Sequence, residues 1–133
     1  MTTSQEMAYI KWFDDINIEG IPLVGGKNAS LGEMYSALRP KGVRIPSGFA
    51  VTTKAFDEFL SSHNLQKTIE GLLKDLKSED TKALQAQGKR IRELIQGAAL
   101  PVALEEEILK AYGMLVLDHQ NRADVAVRSS ATA

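Results

Sequence analysis

The chain reads as a helix-rich α+β (or α/β) unit with a small set of short strands, and three observations lead there. Apolar residues recur at helical spacing in five separate stretches. Two or three short runs rich in aliphatic and aromatic residues are bounded by glycine and proline. The length of 133 residues and the 44% hydrophobic content suffice for a core of ordinary domain size.

Taken in order, "IKWFDDI" (10–16) suits a short strand or extended entry, and "EGIPLVGGK" (19–27) a turn-rich loop. From Asn28 to Leu38, residues Leu31, Met34, Tyr35 and Leu38 share one helical face. Pro40 and Gly42 then stop the helix, because proline cannot continue the hydrogen-bond ladder and glycine tolerates a left-handed turn. Pro46 and Gly48 make a turn into "FAVTT", a short buried strand, and Thr53 is placed to cap a helix carrying Phe56, Phe59 and Leu60. Leu65, Ile69, Leu72, Leu73 and Leu76 form the clearest stripe. A further helix is expected from about Asp80 to Gln96, with Leu84, Ile91, Leu94 and Ile95 inward and Gly97 as its stop. Pro101 suits the opening of the last helix, whose first turn holds Glu105 to Glu107 and whose apolar face is Leu104, Ile108, Tyr112 and Leu115. "NRAD" reads as a loop and "VAVRSS" as a final strand. Such stripes normally face a core.

Sixteen basic and seventeen acidic side chains leave a net charge of -1, which argues against a general nucleic-acid binder but allows a local basic pocket. There is no cysteine, so disulfides, thiol catalysis and cysteine metal sites are excluded. No apolar run reaches membrane-spanning length and the N-terminus lacks a secretory pattern, so a soluble, cytoplasmic protein is expected.

Two stretches carry chemistry. In Gly25-Gly26-Lys27, backbone N–H groups of a glycine turn and a following helix start can cradle phosphate oxygens, with the lysine adding a full charge. This is not the P-loop pattern, since Ile21 stands where its first glycine belongs and Asn28 where Ser or Thr belongs. A glycine turn with a solvated lysine is the plain alternative. At the other end, Val127-Arg128-Ser129-Ser130 presents a permanently charged planar donor with hydroxyls beside it. A loose polar tail is the alternative there, but the apolar run before Arg128 leads us to expect a longer natural chain. His63 and His119 lack ligand-spaced partners and suit surface or capping roles. Asp14-Asp15 suits a solvated turn, Glu105 to Glu107 a helix start, and Trp12 packing.

Together the blocks "GGKNASLGEM", "GVRIPSGFAVTTKAFDEFL" and "VAVRSSATA" resemble the N-terminal nucleotide-binding segment of the phosphoenolpyruvate synthase (pyruvate, water dikinase) family, from about Trp12 to Ala133. Pyruvate, phosphate dikinase and rifampin phosphotransferase share the scheme. The former typically has glycine after "VRS", where this chain has Ser130, and both tend to have glycine after the lysine, where this chain has Asn28.

The resemblance implies the helix-rich first lobe of an ATP-grasp nucleotide-binding domain. It implies that Lys27 and Arg128 contact ATP phosphates, with Gly25, Gly26 and Ser129 beside them. It further implies a phosphohistidine relay in the whole enzyme, converting ATP, pyruvate and water to AMP, phosphoenolpyruvate and phosphate with Mg2+. The second lobe with its metal-binding carboxylates, the histidine domain and the pyruvate barrel have no counterpart in these 133 residues. No catalytic residue and no metal ligand is therefore assigned here, and the isolated piece is expected not to be a competent kinase. A homodimer is one arrangement open to the full-length enzyme. Two other classes stay open from sequence: a non-catalytic nucleotide-binding module and a structural domain. Against the latter, neither Lys27 nor Arg128 is needed for a core.

Overall fold

A computed structural model describes residues 8–120 and 124–132. It divides into two compact units, one of Met1–Phe56 with Val102–Ala133, the other of Asp57–Pro101. It is helix-rich with a two-stranded antiparallel sheet, which fits the α+β expectation.

In the first unit, β1 (Ile10–Trp12) pairs with β2 (Phe49–Val51) in the register Ile10↔Val51, Lys11↔Ala50, Trp12↔Phe49. Trp12 and Phe49 lie directly opposite, with ring centroids 5.3 Å apart, the kind of cross-strand pair that stabilises a short ladder. Thr52 extends this junction. It is 1% exposed, its hydroxyl donates to the Ala8 carbonyl at 2.7 Å, and its amide donates to the Tyr9 carbonyl at 2.9 Å. The same hydroxyl accepts from the Ala55 amide at 3.4 Å. Thr52, not Thr53, therefore caps α2 (Thr53–Ser62), because Thr53 already lies inside the helix and its hydroxyl donates to the Pro22 carbonyl.

After β1, short 3-10 turns at Phe13–Asp15 and Ile18–Gly20 lead into α1 (Ile21–Leu38). The expected loop at "EGIPLVGGK" is thus helical from Ile21. Pro22 suits a first turn, where its missing N–H costs nothing. The inward face of α1 also differs from the expected stripe. Its buried residues are Val24, Gly25, Ala29, Gly32 and Tyr35, while Met34 is 45% exposed. The reason is a close approach: a Cβ on Gly32 would fall 2.5 Å from both the Cβ and the carbonyl oxygen of Ile16. Small residues on α1 let Ile16, Val24, Ala29 and Ala50 form one core, flanked by Phe13, Ile21 and Leu23. Gly42, in the left-handed region at φ 82°, ends the 3-10 turn Arg39–Lys41 as expected.

The last helix of this unit, α5 (Val102–Asp118), packs near β1 and buries Leu104, Ala111 and Leu115. Tyr112, expected inside, is 41% exposed. The "NRAD" loop falls mostly outside the described residues. Residues 124–132 join no strand ladder among the described residues, so the expected final strand is not present there. Val127 is 92% exposed. This segment contacts α1 through the Ser130 hydroxyl and the Ala131 carbonyl.

In the second unit, α3 (Leu65–Leu73) packs with α4 (Thr81–Gly97). Asp80 caps α4 by accepting from the Ala83 amide at 3.0 Å. His63 Nε2 donates to the Ala99 carbonyl at 2.6 Å, and its ring meets the edge of Phe59. The stripe on α3 is only partly realised, since Leu65 is buried while Leu73 is 48% exposed. Among the described residues no helix is long and apolar enough to cross a membrane.

Candidate functional site

The feature that builds the site is a break inside α1. Gly25 adopts φ 80°, ψ 166°, which splits the helix into a first turn (21–24) and a longer segment running to Leu38. A side chain is strained at such a φ, so glycine is required on conformational grounds alone. It is required on steric grounds as well. A Cβ on Gly25 would lie 2.3 Å from Ser130 Oγ and 2.8 Å from the Ser130 carbonyl carbon.

The C-terminal segment is seated on this break. The Gly26 amide donates to the Ala131 carbonyl at 2.9 Å, and the Asn28 amide donates to Ser130 Oγ at 3.3 Å. The Asn28 side chain completes the junction by donating from Nδ2 to the Val24 carbonyl at 2.9 Å, an acceptor left by the end of the first turn. Groups 102 residues apart in sequence are thereby held within one hydrogen bond of each other.

This contact brings the two sequence motifs together. Lys27 and Arg128 line one open cleft of about 500 Å³, with Ile21, Gly26, Ser30, Leu31 and Met34. Both cations are exposed. The apolar residues Leu31 and Met34, read in sequence as core, instead supply the cleft wall, so one helix face gives a cationic end and an apolar side. Such a surface fits a ligand that is anionic at one end and apolar elsewhere, because the guanidinium fork and the ammonium attract the anion while the wall removes apolar area from water.

Of the residues singled out from sequence, Lys27, Gly26 and Arg128 line this cleft and Gly25 forms the break beneath it. Ser129 is exposed and is not among the lining residues; its neighbour Ser130 makes the contact with α1. The sequence singles out Ser129, but local sequence does not tell which of two adjacent hydroxyls faces the glycines. The Gly26 amide, expected to face a phosphate, is directed to Ala131 instead.

The lining does not fit Mg2+. A hard cation needs oxygen ligands, chiefly carboxylates, whereas here Ser30 offers one hydroxyl beside two cationic side chains. Among the described residues no group of three or more His, Cys, Asp or Glu side chains is placed to hold a metal ion. A second open cleft, of about 490 Å³, lies between Asp14, Tyr35, Ser36, Arg39 and Pro40. There the Arg39 guanidinium is stacked over the Tyr35 ring, 5.1 Å from its centroid, and hydrogen-bonds the Tyr35 hydroxyl. It carries a carboxylate and a cation already engaged, which suits an anion less well.

Comparison with known proteins supplies the context. Residues 21–133 match the family described as pyruvate phosphate dikinase, AMP/ATP-binding domain. The chain is 47% identical over 134 residues to the phosphoenolpyruvate synthase of Aquifex aeolicus (strain VF5), covering 100% of this chain and 16% of that protein. It is 44% identical to the Helicobacter pylori phosphoenolpyruvate synthase over 96% of this chain and 16% of the relative. The Escherichia coli (strain K12) phosphoenolpyruvate synthase is 38% identical over 100% of this chain and 17% of its own length. The chain thus spans about one sixth of the length of the curated relatives it matches.

Proposed function

Since the chain belongs to the pyruvate phosphate dikinase AMP/ATP-binding domain family, we propose that the cleft on α1 is the part of its ATP site that grips phosphate, with Lys27 and Arg128 as the gripping side chains. The observation that carries this is the convergence of the two cations on one cleft through the Gly26–Ala131 and Asn28–Ser130 hydrogen bonds. Lys27 contributes a mobile point charge and Arg128 a planar fork matched to phosphate oxygens. The Ile21, Leu31 and Met34 wall takes the uncharged part of the nucleotide. Gly25 serves by letting the backbone of 130–131 come close, and the Gly26 amide holds the Ala131 carbonyl.

On this reading the chain is the first lobe of an ATP-grasp domain in a phosphoenolpyruvate synthase. The whole enzyme turns ATP, pyruvate and water into AMP, phosphoenolpyruvate and phosphate through a phosphohistidine. Mg2+ and pyruvate are held by regions with no counterpart in this chain, and any homodimer belongs to the whole enzyme. Phosphoryl transfer depends on cations and metal placed around the phosphates together with an acceptor. These 133 residues supply only the first of these, so the chain alone binds and does not transfer.

The test is a titration of this chain with Mg2+-free ATP, following backbone amide resonances. Concerted shifts at Gly26 to Asn28 and at Val127 to Ser130, weakened by Lys27→Ala, are expected. Shifts confined to residues remote from both motifs, or unaffected by Lys27→Ala and Arg128→Ala, overturn the assignment.

A further inference from the structure

A helix leaves its first amides without intrahelical acceptors, and a side chain at the residue before it normally supplies one, most often to the third amide. The long segment of α1 begins after Gly25, which has no side chain to offer. Its first and third amides, Gly26 and Asn28, are nonetheless satisfied, by the Ala131 carbonyl at 2.9 Å and Ser130 Oγ at 3.3 Å. Ser130 stands in the place a capping serine would occupy. A Cβ on Gly25 would fall 2.3 Å from that same oxygen, so the absence of a side chain at Gly25 and the presence of a hydroxyl at Ser130 are two halves of one fit.

We propose that Ser130 and Ala131 form a latch that caps the broken helix from a distance and thereby positions Arg128 beside Lys27. Ser130 is a positioning residue: it acts on the ligand through Arg128, two residues before it. Residues 124–130 have no strand partner among the described residues and Val127 is 92% exposed, so the bonds of Ser130 and Ala131 to α1 fix where this segment lies. A second consequence concerns the ligand. The amides of Gly26 and Asn28 are spent on the latch, so phosphate is bound by the Lys27 and Arg128 side chains and not by those amides.

The inference rests on the phosphate reading above, and the experiment separates the two. Hydrogen exchange is measured at the Gly26 and Asn28 amides of this chain in the wild type, Ser130→Ala and Ser130→Thr, with Mg2+-free ATP affinity measured in parallel. The Gly26 amide donates to the Ala131 carbonyl and the Asn28 amide to Ser130 Oγ, so a change of protection at both reports docking of 130–131. Ser130→Ala is expected to cut protection at both amides by roughly two- to tenfold, while amides deeper in α1 keep theirs; Ser130→Thr, which retains the hydroxyl, restores it. Unchanged protection in Ser130→Ala overturns the latch, whatever ATP does. ATP affinity is expected to fall in Ser130→Ala, and adding Arg128→Ala there is expected to cost less than in the wild type. An equal cost of Arg128→Ala in both backgrounds refutes positioning through Arg128. If Arg128→Ala leaves ATP affinity untouched in the wild type, the phosphate reading fails, and the exchange data still judge the latch.

Discussion

Gly32→Ala tests the close approach on which the first unit is built. In an exposed helix, Gly→Ala stabilises by roughly 0.5–1 kcal/mol, because alanine loses less backbone freedom on folding. At Gly32 the added Cβ meets Ile16 Cβ and O at 2.5 Å and Ile16 Cγ2 at 2.6 Å. Two of these atoms are a carbonyl oxygen and a branched Cβ tied to backbone, so no rotamer change removes the clash. Overpacking of this kind costs about 1–3 kcal/mol. Subtracting the helix gain leaves a net loss of up to about 2.5 kcal/mol. Gly113→Ala is the control. It lies in α5 of the same unit and its Cβ would meet nothing within 4 Å, so it should gain roughly 0.5–1 kcal/mol. The assay is urea unfolding followed by Trp12 fluorescence, since Trp12 lies in β1 of that unit. The two variants should move the midpoint in opposite directions. If Gly32→Ala stabilises as Gly113→Ala does, α1 does not lie against Ile16 as described.

Other outcomes follow from the same geometry. Thr52→Val should lower stability by about 1–3 kcal/mol, because it strips the half-buried Ala8 carbonyl and the buried Ala55 amide of their partner; Thr52→Ser should lose much less, and equal losses would count against the hydrogen bonds as the cause. Asp80→Ala should destabilise α4 by about 0.5–2 kcal/mol, read as a drop in helical signal and earlier exchange in the second unit, and no change there would remove Asp80 from its capping role. Lys27→Ala should weaken Mg2+-free ATP binding by about tenfold or more while leaving the unfolding midpoint in place, since Lys27 is exposed and outside the core; added salt should narrow the difference between wild type and variant, because exposed charges are screened.

Much of the helical content was legible in local sequence. Asp80 before Thr81 and Gly42 after the 39–41 turn act where their chemistry says they should, because capping and left-handed turns involve only a few adjacent residues. A glycine pair beside a lysine and an arginine beside serines also stand out in the sequence itself. The inward face of α1 was not. Leu31 and Met34 have the apolarity of core residues, yet the core takes Ala29 and Gly32, because Ile16 comes so close that only small residues fit. The strand expected at "VAVRSS" failed for a related reason: its composition suits a strand, but a strand needs a partner ladder, and the described sheet has only β1 and β2.

What the amino-acid order determined by itself was therefore that most of the chain is helical, where α4 is capped, and that Lys27 and Arg128 carry charges able to attract an anion. What only the tertiary structure decided was that Lys27 and Arg128 line one cleft, and that Ser130, not Ser129, is the hydroxyl that meets the Asn28 amide. Helix signals are local, whereas bringing groups 102 residues apart into hydrogen-bond contact depends on the path of the whole intervening chain.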